Sequence, residues 1–187
     1  KAIARRMAAL RGLFEFLCLH QYMKNNPTVG AAKRIKMPQK DIIRLNDEEV
    51  NTFLNVVSNT NIKGNKLQIE KCKKTQLRDT ALITLLLNTG IRVSECVGIN
   101  LDDVDYINDR IKIVRKGGYE SFVYYGEEVR QALLDYMEER DEIEPMEGHE
   151  NALFLSSQRR RITVRSIELL VKKYASTVTG KHITPHK

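Results

Sequence analysis

No stretch of the chain approaches the roughly 20 consecutive apolar residues that a membrane helix requires, and no cleavable leader is visible, so no membrane partner is expected. Cysteine is scarce: Cys18, Cys72 and Cys96 are far apart and odd in number. They suit neither a disulfide framework nor a zinc site, so a reducing cytosol is the expected compartment and no metal site is expected. Beyond residue 45 the chain also lacks an excess of either charge, with 21 Lys/Arg against 22 acids. What remains is an ordinary globular composition, 42% hydrophobic and 29% charged over 187 residues. That length suits one large or two small domains with a real core.

The net charge of +7 therefore sits at one end, where residues 1–45 carry ten Lys/Arg against two acids. A basic arm on a near-neutral body points to phosphate contacts concentrated in the arm, or to a solvated basic helix with no partner. Residues 1–24 place Ile3, Met7, Leu10, Phe14 and Leu17 at helical spacing, with Arg5, Arg6 and Arg11 off that line. So apolar a helix, starting without an N-cap, is expected to begin inside a domain. Asn25-Asn26-Pro27 should end it, because proline disfavours helix at the preceding residue. Thr28 to Arg44 holds Gly30, Pro38 and the cations Lys33, Arg34, Lys36, Lys40 and Arg44, the composition of an extended linker.

Asn46 and Glu49 read as a capping box for a helix carrying Val50, Phe53, Leu54 and Val57. Ser58 to Lys74 is polar, and its lysines (Lys63, Lys66, Lys71, Lys73, Lys74) either meet phosphate or are merely solvated. From Leu101 to Tyr125 the period becomes alternating. Turns at Asn108-Asp109 and Gly117-Gly118 then predict a three-stranded antiparallel meander. Glu127 to Ile143 reads as a helix with Val129, Leu133, Leu134 and Met137 on one face. Seven of the thirteen residues from Glu138 to Glu150 are acidic, a run that repels a polyanion and is expected on the outer side. Leu153-Phe154-Leu155 follows as a short buried segment. Arg159-Arg160-Arg161 is a basic turn, either phosphate-binding or solvated. Thr163 should cap a last helix with Ile167, Leu170, Val171 and Tyr174 inward.

The stretch from Arg78 to Glu95 organises the rest. Leu82, Leu85 and Leu86 share a helix face widened by Ile83 and Leu87, and Gly90 stands where a left-handed residue would stop the helix. Arg92 and Glu95 follow three residues apart, on one face if a new turn starts there. An arginine between apolar segments is costly unless paired. The pair reads either as a structural tie between helices or as an anion site. Lys116, at the second hairpin's tip, is on its own an exposed lysine. At the end, Thr184 and Pro185 read as N-cap and N1, with His186 in the first turn; alone, this is a capping turn.

Thr89-Gly90-Ile91-Arg92-Val93-Ser94-Glu95 after a leucine-rich helix resembles the box that carries the first catalytic arginine of the tyrosine recombinases, the phage integrases and Xer-like enzymes. Arg115-Lys116-Gly117-Gly118 puts Lys116 where that family has a hairpin lysine, with Arg115 replacing the usual small residue. Thr184-Pro185-His186 resembles the start of the family's His-x-x-Arg helix. The resemblance covers nearly the whole chain. It implies a mainly α fold with a small three-stranded antiparallel β-meander (α+β). Residues 1–32 would be the C-terminal part of a helical, SAM-like core-binding domain. A basic linker would follow at 33–45, then the catalytic domain at 46–187 without its C-terminal part. Such domains clamp duplex DNA.

By the same resemblance Arg92 clamps the phosphate, Glu95 supports it from behind, Lys116 is the general acid and His186 the phosphate-side histidine. DNA contacts are expected from Arg5, Arg6, Arg11, Lys33, Arg34, Lys36, Arg115, Arg159, Arg160 and Arg161. The chemistry is a transesterification through a 3′-phosphotyrosine, which needs no metal and no nucleotide cofactor. The second arginine, a later His/Trp position and the nucleophile are expected beyond residue 187. Tyr119, Tyr124, Tyr125, Tyr136 and Tyr174 all precede His186 and read as core or surface residues. These residues alone are expected to bind double-stranded DNA without cutting it. The whole protein is expected to be a site-specific recombinase or integrase of a bacterium, phage or mobile element, cytoplasmic and nucleoid-associated. It would be a homo-tetramer, or a hetero-tetramer with a related recombinase, on DNA, and a monomer or dimer when free. Two alternatives stand beside it: a non-catalytic DNA-binding relative, which would not need Arg92, Lys116 and His186 together, and a type IB topoisomerase, which the basic arm and the Xer-like box disfavour.

Overall fold

The computed structural model describes residues 2–30, 45–59 and 74–178. The chain forms two compact units, Lys1–Asp41 and Ile42–Lys187. In the first, helix α1 spans Ala2–Leu19. It stops short of the expected residue 24 because Gln21 adopts a left-handed conformation, φ 63°. The Tyr22 N–H then bonds the Leu17 carbonyl at 2.9 Å and the Gln21 N–H bonds Cys18 at 3.0 Å, closing a Schellman motif on a glutamine. Met7, Phe14 and Leu17 are half-buried, whereas Ile3 and Leu10 of the same line are exposed. No helix of the described residues is long and apolar enough to cross a membrane.

The second unit begins with α2, Asp47–Ser58. Its capping box is formed as the sequence predicts. The Asn46 side chain accepts the Glu49 N–H at 2.7 Å, and the Glu49 carboxylate accepts the Asn46 N–H at 2.9 Å. Phe53 and Val57 of α2 are buried against α3, Gln76–Thr89, which supplies Ala81, Leu82, Ile83 and Leu85 to the core. Leu87 lies outside it and is exposed. A short helix α4, Val93–Gly98, follows, then a 3-10 turn at Leu101–Asp103.

The meander consists of β1 (Val104–Asp105), β2 (Arg110–Val114) and β3 (Glu120–Tyr124), antiparallel in the order β1-β2-β3. Its first turn is tied by one carboxylate. Asp105 accepts the N–H groups of Ile107 at 3.1 Å and Asn108 at 3.0 Å, the Asn108 amide at 2.8 Å and the Arg110 Nε at 2.8 Å. Bonds from Asn108 above all, joined by Arg110 and Ile107, hold the Asp105 carboxyl down at about 2. Ile111 and Ile113 turn inward, while Phe122 and Tyr124 on the neighbouring strand turn out.

Helix α5, Glu127–Asp141, buries Val129, Leu133, Tyr136 and Arg140, a line one turn apart at each step. Leu134, expected inward, is exposed; Tyr136 takes that share of the face. The last described helix, α6, spans Val164–Val178, and the Thr163 hydroxyl accepts the Ser166 N–H at 3.1 Å as its cap. Ile167, Leu170, Val171 and Tyr174 are buried, as the spacing predicts.

Candidate functional site

Gly90 ends α3 in the left-handed conformation, φ 63°, which a residue without a Cβ adopts without strain. Ile91 and Val93, 6% and 0% exposed, then anchor the backbone on both sides of Arg92. Arg92 is left at the start of α4 with its side chain 58% exposed, while the Glu95 side chain is only 3% exposed. The Glu95 carboxylate turns back on the helix start. One oxygen accepts the Arg92 N–H at 2.9 Å, and the other accepts the guanidinium Nη1 at 2.7 Å. The sequence suggested an arginine whose burial demands a partner. The structure reverses the roles: the carboxylate is buried, and the arginine covers it with part of its fork toward solvent.

A second arginine reaches the same carboxylate. Arg115 Nη1 lies 3.6 Å from Glu95 Oε2, its side chain 41% exposed. Burial pushes the Glu95 carboxyl up, but the Arg92 amide and guanidinium and the Arg115 charge together outweigh it and hold the group below its ordinary value. Glu95 therefore stays ionised between two cations. Arg115 directly precedes Lys116, which is exposed at the β2–β3 tip. That tip is closed by the Arg115 N–H on the Tyr119 carbonyl at 2.7 Å and by the Gly118 N–H on the Arg115 carbonyl at 3.0 Å. Arg92, Glu95 and Arg115, on two elements, thus meet at one point with Lys116 adjoining. His186, Lys33, Arg34 and Lys36 lie outside the described residues, as do Lys40, Arg44, Lys63, Lys66, Lys71 and Lys73.

The remaining cations divide. Arg5 and Arg6 are exposed on α1 and Arg11 is half-buried there. Arg159 and Arg160 are exposed on the turn before α6, Arg159 at φ 61°. Arg161 is used inside the fold: it donates to the carbonyls of Val97 and Ile99, both at 2.9 Å, and to the Asn100 side chain at 2.6 Å. Those carbonyls close α4, so Arg161 satisfies acceptors that a helix end leaves open. The basic turn expected to act as a unit is therefore two exposed arginines and one internal tie.

Other polar residues inside the fold escaped the sequence reading. Arg140, 4% exposed within the acidic run, donates to Glu150 O at 2.8 Å and Ala152 O at 3.2 Å. Asp79 receives Arg78 Nε at 2.9 Å and the Tyr174 hydroxyl at 3.1 Å; burial raises its pKa although Arg78 opposes it. A cavity of ≈ 460 Å³ lies beside this group, lined by Lys74, Arg78, Arg159, Glu139, Glu142 and Glu144 among others. Its mixed charges mark no phosphate site. Among the tyrosines, Tyr136 donates to Leu153 O and accepts from Leu155 N, both at 3.2 Å, and Tyr174 is held by Asp79. Burial, then the charge of Asp109, pushes the Tyr125 hydroxyl up to about 12. Tyr119 and Tyr124 are exposed.

The Phage integrase family matches residues 43–187. A tyrosine recombinase XerC of Caldanaerobacter subterraneus subsp. tengcongensis is 34% identical over 191 aligned residues, covering 100% of this chain and 48% of that protein. A XerC of Actinobacillus pleuropneumoniae serotype 7 is 30% identical, covering 100% of this chain and 56% of its own length. The chain thus spans about half the length of these relatives. Among solved structures, the Tn1549 transposon integrase in complex with a circular intermediate DNA matches with TM-score 0.68 at 21% identity, over 100% of this chain and 63% of that one. The XerA recombinase matches with TM-score 0.64 at 22% identity, over 80% and 48%. The fold is therefore that of these proteins, and the chain belongs to the phage integrase family.

Proposed function

We propose that this chain is the DNA-binding and phosphate-activating part of a site-specific recombinase that cuts and rejoins duplex DNA through a 3′-phosphotyrosine. The observation that supports it most is the meeting of Arg92 and Arg115 on the buried Glu95 carboxylate, with Lys116 next in the chain. Three cations against one carboxylate leave two formal positive charges facing solvent. That charge suits a phosphodiester gaining negative charge as it is attacked.

In this reading a tyrosine oxygen bonds to phosphorus as the P–O5′ bond breaks. Arg92 presents guanidinium N–H groups to the non-bridging oxygens, a fork geometry that lysine lacks. Lys116 gives a proton to the departing 5′ oxygen, and His186 hydrogen-bonds the phosphate. No metal or nucleotide takes part. In this reading the nucleophile lies outside residues 1–187, because by the family's order it follows His186, whereas Tyr119, Tyr124, Tyr125, Tyr136 and Tyr174 all precede it. Arg5, Arg6, Arg11, Lys33, Arg34, Lys36, Arg159 and Arg160 contribute backbone contacts. On DNA the whole protein acts as a tetramer, of one kind of subunit or two, and when free as a monomer or dimer. Its place is the cytoplasm, with the nucleoid.

A nicked suicide duplex tests this. Residues 1–187 bind it, with affinity steep in salt, and form no covalent adduct. The Arg5→Ala/Arg6→Ala variant has a shallower salt slope, by about one per lost phosphate contact. The full-length protein forms the adduct. A denaturation-resistant protein–DNA band from residues 1–187 alone, or none from the full-length protein, overturns the proposal; the second result favours a non-catalytic DNA-binding relative.

A further inference from the structure

We infer that Arg115 is a positioning residue: through the Glu95 carboxylate that it shares with Arg92, it holds the β2–β3 tip so that Lys116 faces the phosphate. This inference rests on the reading of Lys116 as proton donor.

Three observations carry it. First, Glu95 is a fixed point, 3% exposed and bonded through both oxygens to Arg92, whose backbone is anchored by Ile91 and Val93. A group ion-paired to Glu95 is therefore placed relative to Arg92. Second, Arg115 is held at both levels: its guanidinium lies 3.6 Å from Glu95, and its N–H and carbonyl close the tip on Tyr119 and Gly118. Lys116 is the next residue, one peptide unit away. Third, among the described residues Arg115 is the tip side chain that is ion-paired to Glu95; the Lys112 pairs with Asp103 at 3.3 Å and Glu120 at 3.6 Å tie the strands below the tip. Val114 and Tyr119 on either side are 56% and 75% exposed, and Gly117 and Gly118, at φ 97° and 82°, have no side chain to anchor. Exposed and without such a tether, the tip would let Lys116 sample many positions. Misplacing a reacting group by about 1 Å is enough to cost on the order of 100-fold in rate. The pair is partly exposed, so its role is to direct the tip rather than to stabilise the fold.

Leaving-group chemistry separates this role from others. With a 5′-bridging oxygen, the P–O bond breaks and the oxygen takes a proton from Lys116. With a 5′-bridging sulfur, the sulfur leaves as a thiolate and needs no proton. In single-turnover cleavage by the full-length protein, Lys116→Ala should lose roughly 10²- to 10⁴-fold on the oxygen substrate and recover on sulfur. Arg115→Ala should lose about 10- to 100-fold on oxygen and recover on sulfur as well. Arg115→Lys should fall between, and Arg115→Ala/Lys116→Ala should be no slower than Lys116→Ala. An equal loss on both substrates would make Arg115 a direct phosphate contact and overturn the inference, as would no loss at all. Failure of sulfur to rescue Lys116→Ala removes the Lys116 reading itself, and the inference with it. A measurement on residues 1–187 needs no catalysis: amide exchange at Lys116–Tyr119 should quicken in Arg115→Ala and in Glu95→Gln, with the double variant no faster than either. Unchanged exchange would show that the tether does not exist.

Discussion

Two regions of the larger unit are rich in arginine and use it in opposite ways. Around α4 and the β2–β3 tip, Arg92 and Arg115 meet a carboxylate, and their side chains stay 58% and 41% exposed. At Arg140 and Arg161 the guanidinium groups are directed at backbone carbonyls of Glu150, Ala152, Val97 and Ile99, and Arg78 divides its donors between the Asp79 carboxylate and the Leu155 carbonyl. A carboxylate placed behind an arginine leaves N–H groups for an incoming anion. Acceptors within the fold occupy several of them instead. The difference teaches that the partner, and not the arginine, decides between a ligand-facing group and a tie within the fold.

The largest expected effect breaks the first region. Arg92→Ala in the full-length protein should slow adduct formation by roughly 10²–10³, about 3–4 kcal/mol. The same change should lower folding stability by only about 1 kcal/mol. A variant that cleaves normally would remove Arg92 from the site. The counterpart is Arg140→Met, which takes the guanidinium donor from the buried Ala152 carbonyl and from the Glu150 carbonyl. Urea unfolding of residues 1–187 should then show a loss of about 3 kcal/mol, with DNA affinity per folded molecule unchanged.

Arg161 and Arg159 sharpen the comparison within one turn. Arg161→Ala should cost about 2 kcal/mol of stability and leave the salt dependence of DNA binding as it is. Arg159→Ala should stay within about 0.5 kcal/mol. If the salt slope falls for Arg161→Ala instead, its fork faces phosphate after all.

The smallest effects come from two buried carboxylates shifted in opposite directions. Glu95 is held below its ordinary 4.5, so its contribution to stability is present above that pH and is lost as pH falls through the lowered value. Asp79 is raised above 3.8: the fold binds its proton more tightly than the unfolded chain, so stability is lost as pH rises through the raised value. Urea midpoints between pH 7 and pH 3 should accordingly show the wild-type advantage over Glu95→Gln shrinking with acid, while wild type gains relative to Asp79→Asn. Slopes of the same sign would mean that one of the two environments is wrongly described.

Much of the fold was legible because it is written at short range. The capping box at Asn46 and Glu49, the stop at Gly90, the hairpin turns and the inward line of α6 each depend on residues a few positions apart. The extension of α1 to residue 24 was misread because a left-handed Gln21 has no sequence signal of the kind glycine provides. Leu134 was misplaced because Tyr136 and Arg140, polar by type, were not counted as a buried face of α5. At the site, the order and spacing of the Arg92 box and the Lys116 hairpin were visible in the sequence. The link through Arg115 was not, because a basic residue before a hairpin lysine reads as one more surface charge.

By itself the sequence determined the helices of the larger unit, the stop at Gly90, the three-stranded meander and its turns, and the closeness of Arg92 to Glu95 three residues on. These follow from backbone periodicity and from side chains that reach only their neighbours. Tertiary structure decided which charge is buried and which cations face solvent. Arg161 meets Ile99 across 62 residues, and Tyr174 meets Asp79 across 95. Such encounters exist only once packing has brought distant elements together and removed water from one partner, so no local pattern can announce them.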